Sequence, residues 1–228
     1  MRKLLLATAA AATIAAVQMP ADARADGFYV GVMGGYSWVQ DVDGDYSYTA
    51  TPYDLTFDLD TGYVVGVFGG YGFDFGGRAE LEFAYRSNGI NSIDYNEGSG
   101  TYALSGDLNV YSLMGNFWYD FHTGSGFMPY VGGGIGAAWL VSDDWGFAGS
   151  TDPSYSSDSD VAFAYQLGTG VNYAFNETVA VGVGYRFFGT TAFEVENSYP
   201  GATNYDMDGY YNHSVLLNLI VNFGGVAD

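Results

Sequence analysis

Residues 78 to 86 read RAELEFAYR and set Arg78, Glu80, Glu82 and Arg86 at every second or fourth position of a run otherwise made of Ala, Leu, Phe and Tyr. Two carboxylates two residues apart could form a catalytic acid and base pair; guanidiniums beside them could instead neutralise them as buried ion pairs. A second candidate is NHSV, where His213 adjoins Ser214 as a base beside a nucleophile. A base must lie within hydrogen-bond reach of its nucleophile, and adjacent strand residues point to opposite faces, so this pair fails wherever the segment is a strand. A third is DVDGD, in which Asp41, Asp43 and Asp45 alternate as at the start of a calcium loop. Such a loop needs Gly at its sixth position and Glu at its twelfth, where this chain has Tyr46 and Pro52. The reading is a solvated acidic loop whose divalent-cation binding is weak, millimolar and unselective. No metal centre, cofactor or catalysis is expected.

What positions these residues follows from composition and period. Arg2 and Lys3, the apolar run from Leu4 to Val17 and the small-residue site Ala23-Arg24-Ala25 predict an export signal over residues 1–25. The remainder, 26–228, has three basic residues against 25 acidic ones, a net charge of −22, with no lysine and no cysteine. Such a surface excludes nucleic acid as a partner, because phosphates are neutralised by clustered Lys and Arg. Export without cysteine fits an envelope protein that needs no disulfides. No stretch after the signal approaches 18 consecutive apolar residues, which excludes transmembrane helices, and 21 Tyr with 16 Phe exclude a solvated disordered chain.

The period is two. In TGYVVGVFGGYGFDF, residues 61 to 75, the odd positions carry Tyr63, Val65, Val67, Tyr71, Phe73 and Phe75, while Gly66, Gly70, Gly72 and Asp74 stand at even ones. Eight such runs are predicted: 27–39, 55–75, 78–87, 105–121, 128–141, 160–173, 179–196 and 211–223. A soluble barrel would put its polar face outside; here the wholly apolar face recurs in every strand, as lipid requires. Short connections at 76–77, 122–127 and 174–178 alternate with long ones near 40–54, 88–104, 142–159 and 197–210, the pattern of periplasmic turns and outer loops. Phe73, Phe75, Tyr119, Phe121, Tyr173, Phe175 and Phe223 fall near periplasmic ends, and Trp38, Tyr63, Tyr85, Trp139 and Phe187 toward outer ends, as two aromatic girdles would. The fold class is all-β: an eight-stranded antiparallel up-and-down transmembrane β-barrel.

Taken in order, AELEFAYR, LNVYSLMGNFWYDF, MPYVGGGIGAAW, FAYQLGTGVNYAF, VGVGYRFF and HSVLLNLIVNF resemble the small OmpA-like outer-membrane β-barrel proteins, including surface antigens of alphaproteobacteria. The resemblance covers the whole chain after the signal. It implies insertion by the barrel assembly machinery, with Phe223 standing where the family's terminal aromatic signal stands. Two departures accompany it: GGVAD follows Phe223, and no peptidoglycan-binding domain is present, so a tethering role does not carry over.

With Leu81, Phe83 and Tyr85 outward, Arg78, Glu80, Glu82 and Arg86 point into the lumen. Val181, Val183, Tyr185 and Phe187 outward place Arg186 there too. Eight strands leave an interior that side chains fill, so Tyr29, Phe68, Met114, Trp118 and Gln166 should complement small Gly132, Gly134 and Gly182. The expectation is a monomeric, non-enzymatic protein of the bacterial outer membrane, in contact with lipid and with a largely filled lumen. Its role would be structural or one of surface interaction with an unnamed extracellular partner. The alternatives are a narrow, weakly cation-preferring porin and an adhesin.

Overall fold

Runs of Val, Tyr, Phe and Leu alternating with Gly and polar residues favour extended backbone, because branched and aromatic side chains fit a pleated surface. The computed structural model describes residues 27–48, 51–95, 100–147, 158–195 and 203–223, and the proposed signal lies outside them. The strands are β1 (Gly27–Val39), β2 (Val42–Tyr48), β3 (Thr51–Gly72), β4 (Gly77–Tyr95), β5 (Gly100–Asp120), β6 (Phe127–Phe147), β7 (Asp158–Ala174), β8 (Val179–Thr190), β9 (Phe193–Val195), β10 (Tyr205–Met207) and β11 (Tyr211–Asn222). Eight of them form a ring. The antiparallel ladder runs from β3 through β8 to β11; β1 then pairs with β11 on one side (Val32↔Leu219) and with β3 on the other (Val32↔Val67). Each strand in the ring thus has a hydrogen-bonded neighbour on both sides, the condition for crossing hydrocarbon.

The distribution of side chains is inverted relative to a water-soluble protein. Leu217, Leu167 and Ile135 are 70%, 63% and 63% exposed, whereas Glu82, Arg86 and Arg186 are 0%, 1% and 6% exposed. The apolar face therefore meets lipid and the charges are inside. From Tyr111 in β5 to Phe121, the residue after its end, the chain takes ten steps. At about 3.3 Å per residue and a tilt of roughly 40°, that spans about 25 Å, the height of an outer-membrane apolar band. Aromatic contacts follow both rims: Tyr63–Tyr85–Tyr111 on the outer side, and Tyr71–Phe73–Phe75, Tyr119–Phe121 and Tyr173–Phe175 on the periplasmic side.

Three features depart from the sequence expectation. Strands β3 to β6 continue well beyond the outer girdle, so much of what was expected as loop at 40–54 and 88–104 is strand. In β3 and β4 the cause is a change of parity. In β3 the buried positions are Val64 and Phe68 below, but Leu55, Phe57 and Leu59 above, because register shifts between Asp58 and Gly62 move the pattern by one. Similar shifts occur between Gly89 and Ser92 in β4 and between Ser105 and Asp107 in β5, where Gly106 has φ 138°. The three irregularities are neighbours, since Leu59 pairs with Ile90 and Gly89 with Asp107. Secondly, β2, β10 and β9 add a small sheet to the outer end of β3 that the sequence reading did not anticipate. Thirdly, the run expected at 179–196 breaks at Thr190 into β8 and β9.

The interior has two apolar clusters. One lies around Tyr29, Met33, Val64, Phe68, Leu216 and Ile220. The other, larger one reaches from Met114, Val110 and Phe188 outward through Leu108, Leu140 and Leu59 to Val42, Phe193, Tyr205, Met207 and Tyr210, so the added sheet covers the outer mouth. Packing is close. A Cβ at Gly134 would lie 2.5 Å from Gly115 O and 2.0 Å from Asn116 Oδ1. Gly134→Ala is accordingly expected to destabilise the barrel by about 1–3 kcal/mol through overpacking, read as a lower urea midpoint with unchanged slope.

Candidate functional site

The lumen gathers the charges because four inward positions of β4 face inward positions of β5 across the ladder: Arg78↔Trp118, Glu80↔Asn116, Glu82↔Met114 and Arg86↔Val110. Near the periplasmic end Arg78 donates from Nε to Asp120 Oδ2 (2.6 Å) and from Nη2 to Asp120 Oδ1 (3.1 Å), a two-pronged pair that fixes the guanidinium plane. Its Nη1 donates to Tyr29 Oη at 3.2 Å and lies 3.6 Å from Glu80 Oε2. Glu80 is otherwise saturated, accepting from Tyr29 Oη (2.9 Å), Trp118 Nε1 (3.0 Å) and Asn116 Nδ2 (3.2 Å).

One level further out, Glu82 accepts from Arg186 Nη1 across the barrel, from Asn116 Nδ2 (3.2 Å) and from Gln166 Nε2 (3.4 Å). Gln166 also donates to Asn116 Oδ1 at 2.6 Å, tying β7 to β5. The Arg186 guanidinium lies 4.8 Å from the Trp118 ring centroid, so the cation has an aromatic face as well as a carboxylate. Arg86 differs from expectation. Among the described residues it has no carboxylate at ion-pair distance; Nη1 donates to Ser112 Oγ at 2.9 Å and the guanidinium sits 3.9 Å over the Phe188 ring. Three buried arginines thus stand with three buried acids, Glu80, Glu82 and Asp120. The sequence reading did not single out Asp120, yet Asn116, Trp118 and Asp120 share one parity in NFWYD, and that signal would have found it.

Above the charges a neutral band crosses the lumen. Tyr210 Oη donates to Asn88 Oδ1 and accepts from Asn212 Nδ2, both at 2.9 Å, and Ser214 Oγ donates to Asn212 Oδ1 at 2.7 Å. Ser214 therefore faces inward. His213 faces the other way, stacked on Trp38 and held by Tyr185 Oη (2.6 Å from Nδ1) and Gln40 Nε2 (3.0 Å from Nε2), and does not meet Ser214. This His213 cluster joins β1, β8 and β11 at the outer end of the closing seam. At its periplasmic end Phe223 N donates to Phe28 O at 2.8 Å, and the Phe223 side chain is 67% exposed toward lipid.

The acidic loop residues are dispersed. Asp41 precedes β2, Asp43 Oδ1 accepts from Thr56 Oγ1 at 2.7 Å, and Asp45 lies opposite Asp54 and Asp206 in the ladder. Among the described residues no three acid, His or Cys side chains converge to hold a metal ion.

Comparison with known proteins agrees with this architecture. OprG, an outer membrane protein from Pseudomonas aeruginosa, is similar in structure with a TM-score of 0.59 at 18% identity, the match covering 86% of this chain and 97% of that one. The Neisserial surface protein A (NspA) matches with a TM-score of 0.51 at 17% identity, covering 87% and 98%. No curated protein matches the chain in sequence. The family model of the outer membrane protein beta-barrel domain matches residues 7–223. A closed ring with an apolar outer band and buried charges is what that family's membrane requires, and the chain belongs to it, as a barrel protein of the bacterial outer membrane.

Proposed function

We propose that this protein is a monomeric, non-enzymatic barrel with a closed lumen, acting in envelope structure or in contacts at the cell surface. The observation that carries the reading is the filling of the lumen at every level: the Arg78–Asp120 and Glu82–Arg186 pairs, the Tyr210–Asn88 band, and the apolar cluster under β2, β9 and β10. What projects outward is a wall built on β3 to β6, with polar pairs such as Thr56–Asp43 and Thr101–Asp94 on its exposed side. A ring with no unpaired edge satisfies its backbone as a single chain, which supports the monomer. Outer-membrane lipid covers the apolar band, and the barrel assembly machinery would engage the seam end that carries Phe223.

Planar-bilayer recording of the refolded protein tests this. The expected trace has no reproducible open steps, and heat-modifiable gel migration confirms that the barrel is folded. Reproducible steps in the wild type would make it a narrow pore instead, and its acidic rim would then favour cations. An adhesive role would show as transfer of cell binding when the outer loops are grafted onto an inert barrel.

A further inference from the structure

The lumen is not uniformly dry. Two small cavities lie one above the other in its periplasmic half, of about 20 Å³ and 10 Å³. The lower is lined by Asp120, Asn222 and Arg78, and the upper by Asn218, Arg186 and Arg78, with Asn172 lining both. Three amide oxygens on this side, Asn172 Oδ1, Asn218 Oδ1 and Asn222 Oδ1, are buried and make no hydrogen bond among the described residues. Asn172 and Asn218 are only 4% and 9% exposed. Leaving such acceptors unmet forfeits the hydrogen bonds they make in water, so native interiors meet them.

The chemistry of the lining identifies what meets them. An anion would suit Arg78 and Arg186 but cannot donate to amide oxygens. A metal cation would suit those oxygens but not two guanidiniums. A group that both donates and accepts satisfies the two sets at once, and each volume is about that of a single water. We infer that the periplasmic half of the lumen is a water-binding column entered beside Asn222 and ending at the Glu82–Arg186 bridge, where an apolar layer parts it from the outer mouth. Asn222 marks the entrance, since its Nδ2 donates to Glu177 O of the β7–β8 turn. Beyond the bridge Met114, Val110 and Leu140, 0%, 0% and 3% exposed, belong to an apolar cluster that offers water nothing to bond, and Asn88, Tyr210, Asn212 and Ser214 of the neutral band bond one another. The charged network then exchanges protons and water with the periplasm and not with the cell exterior.

This rests on the closed-lumen reading, and single cysteines in the cysteine-free chain test the two separately. Asn218→Cys and Leu140→Cys, refolded and checked by heat-modifiable migration, are exposed to Ag⁺. The thiol S–H bond breaks, a sulfur–silver bond forms and a proton is released, so the loss of titratable thiol reports access. Asn218→Cys is expected to react at least about 100-fold faster than Leu140→Cys, whose reaction waits on rare opening of the apolar half. Asn172→Cys gives the same readout should Asn218→Cys fail to fold. Protection of Asn218→Cys to the level of Leu140→Cys would overturn the hydrated column and leave the closed lumen standing. Rapid reaction at both positions would overturn the closed lumen itself.

Discussion

Arg186→Met is expected to cost about 3–5 kcal/mol of folding stability, because it leaves the Glu82 carboxylate buried with no cation across the barrel. Glu82 is fully buried, and its remaining donors, Asn116 and Gln166, are neutral amides. With a urea slope of about 2 kcal/mol per molar, the loss corresponds to a midpoint lowered by roughly 2 M. The double variant Glu82→Leu/Arg186→Met removes both charges together and should recover most of that loss, since a buried pair replaced by apolar side chains of similar volume is often neutral or better. Equilibrium unfolding of wild type, both single variants and the double variant in lipid vesicles gives the coupling energy directly. A loss below about 1 kcal/mol in Arg186→Met would mean that the bridge behaves as an exposed surface pair, and the account of the interior would fall.

The second large effect concerns conductance. Glu82→Ala removes the lock between charges, but it leaves the apolar cluster from Met114 to Met207 unbroken above it. Narrow apolar constrictions stop ions by excluding water, so Glu82→Ala is expected to remain closed in a planar bilayer. Replacing Leu108, Val110, Leu140 and Phe188 together by serine should introduce open steps, because volume is lost and the lining gains hydroxyls that hold water. These four line the barrel from three strands, β5, β6 and β8, and serine at each keeps the backbone groups of its ladder pair, as at Val110↔Leu140 and Gln166↔Phe188. Open steps in Glu82→Ala alone would place the barrier at the ion pair instead.

The two results bear on how a barrel this acidic stays closed and folded. Outside, the carboxylates are dispersed and solvated; Asp45, Asp54 and Asp206 oppose one another across β2, β3 and β10, which costs a little and is screened by salt. Inside, cations are scarce, and all three arginines of the described residues are committed there. Arg78 and Arg186 neutralise acids. Arg86 instead sits on Phe188 at the boundary between the charged layers and the apolar cluster, its Nε without a partner, a position that sequence parity placed inside but could not pair.

The sequence by itself determined the inside and the outside of this protein. Alternation is a property of the pleat, so the parity of Leu81, Phe83 and Tyr85 was enough to send Arg78, Glu80, Glu82 and Arg86 inward, and the parity of Val183 and Tyr185 sent Arg186 to join them. Girdles, the eight strands of the ring and the separation of His213 from Ser214 follow from the same local rule. The tertiary structure decided everything that depends on two distant strands meeting. Whether Glu82 bonds Arg186 or Arg86 is a matter of register and height across the lumen, set by the ladders on all sides. Asp120 became a partner because Arg78 pairs with Trp118, which puts Asp120, two residues on and of the same parity, diagonally within its reach. The extension of β3 and β4 was hidden by irregularities that move the apolar pattern by one residue, and a reading that holds parity fixed cannot pass through them. The covering of the mouth by β2, β9 and β10 joins residues more than 150 positions apart, such as Asp45 and Asp206, and no local pattern encodes a contact of that range.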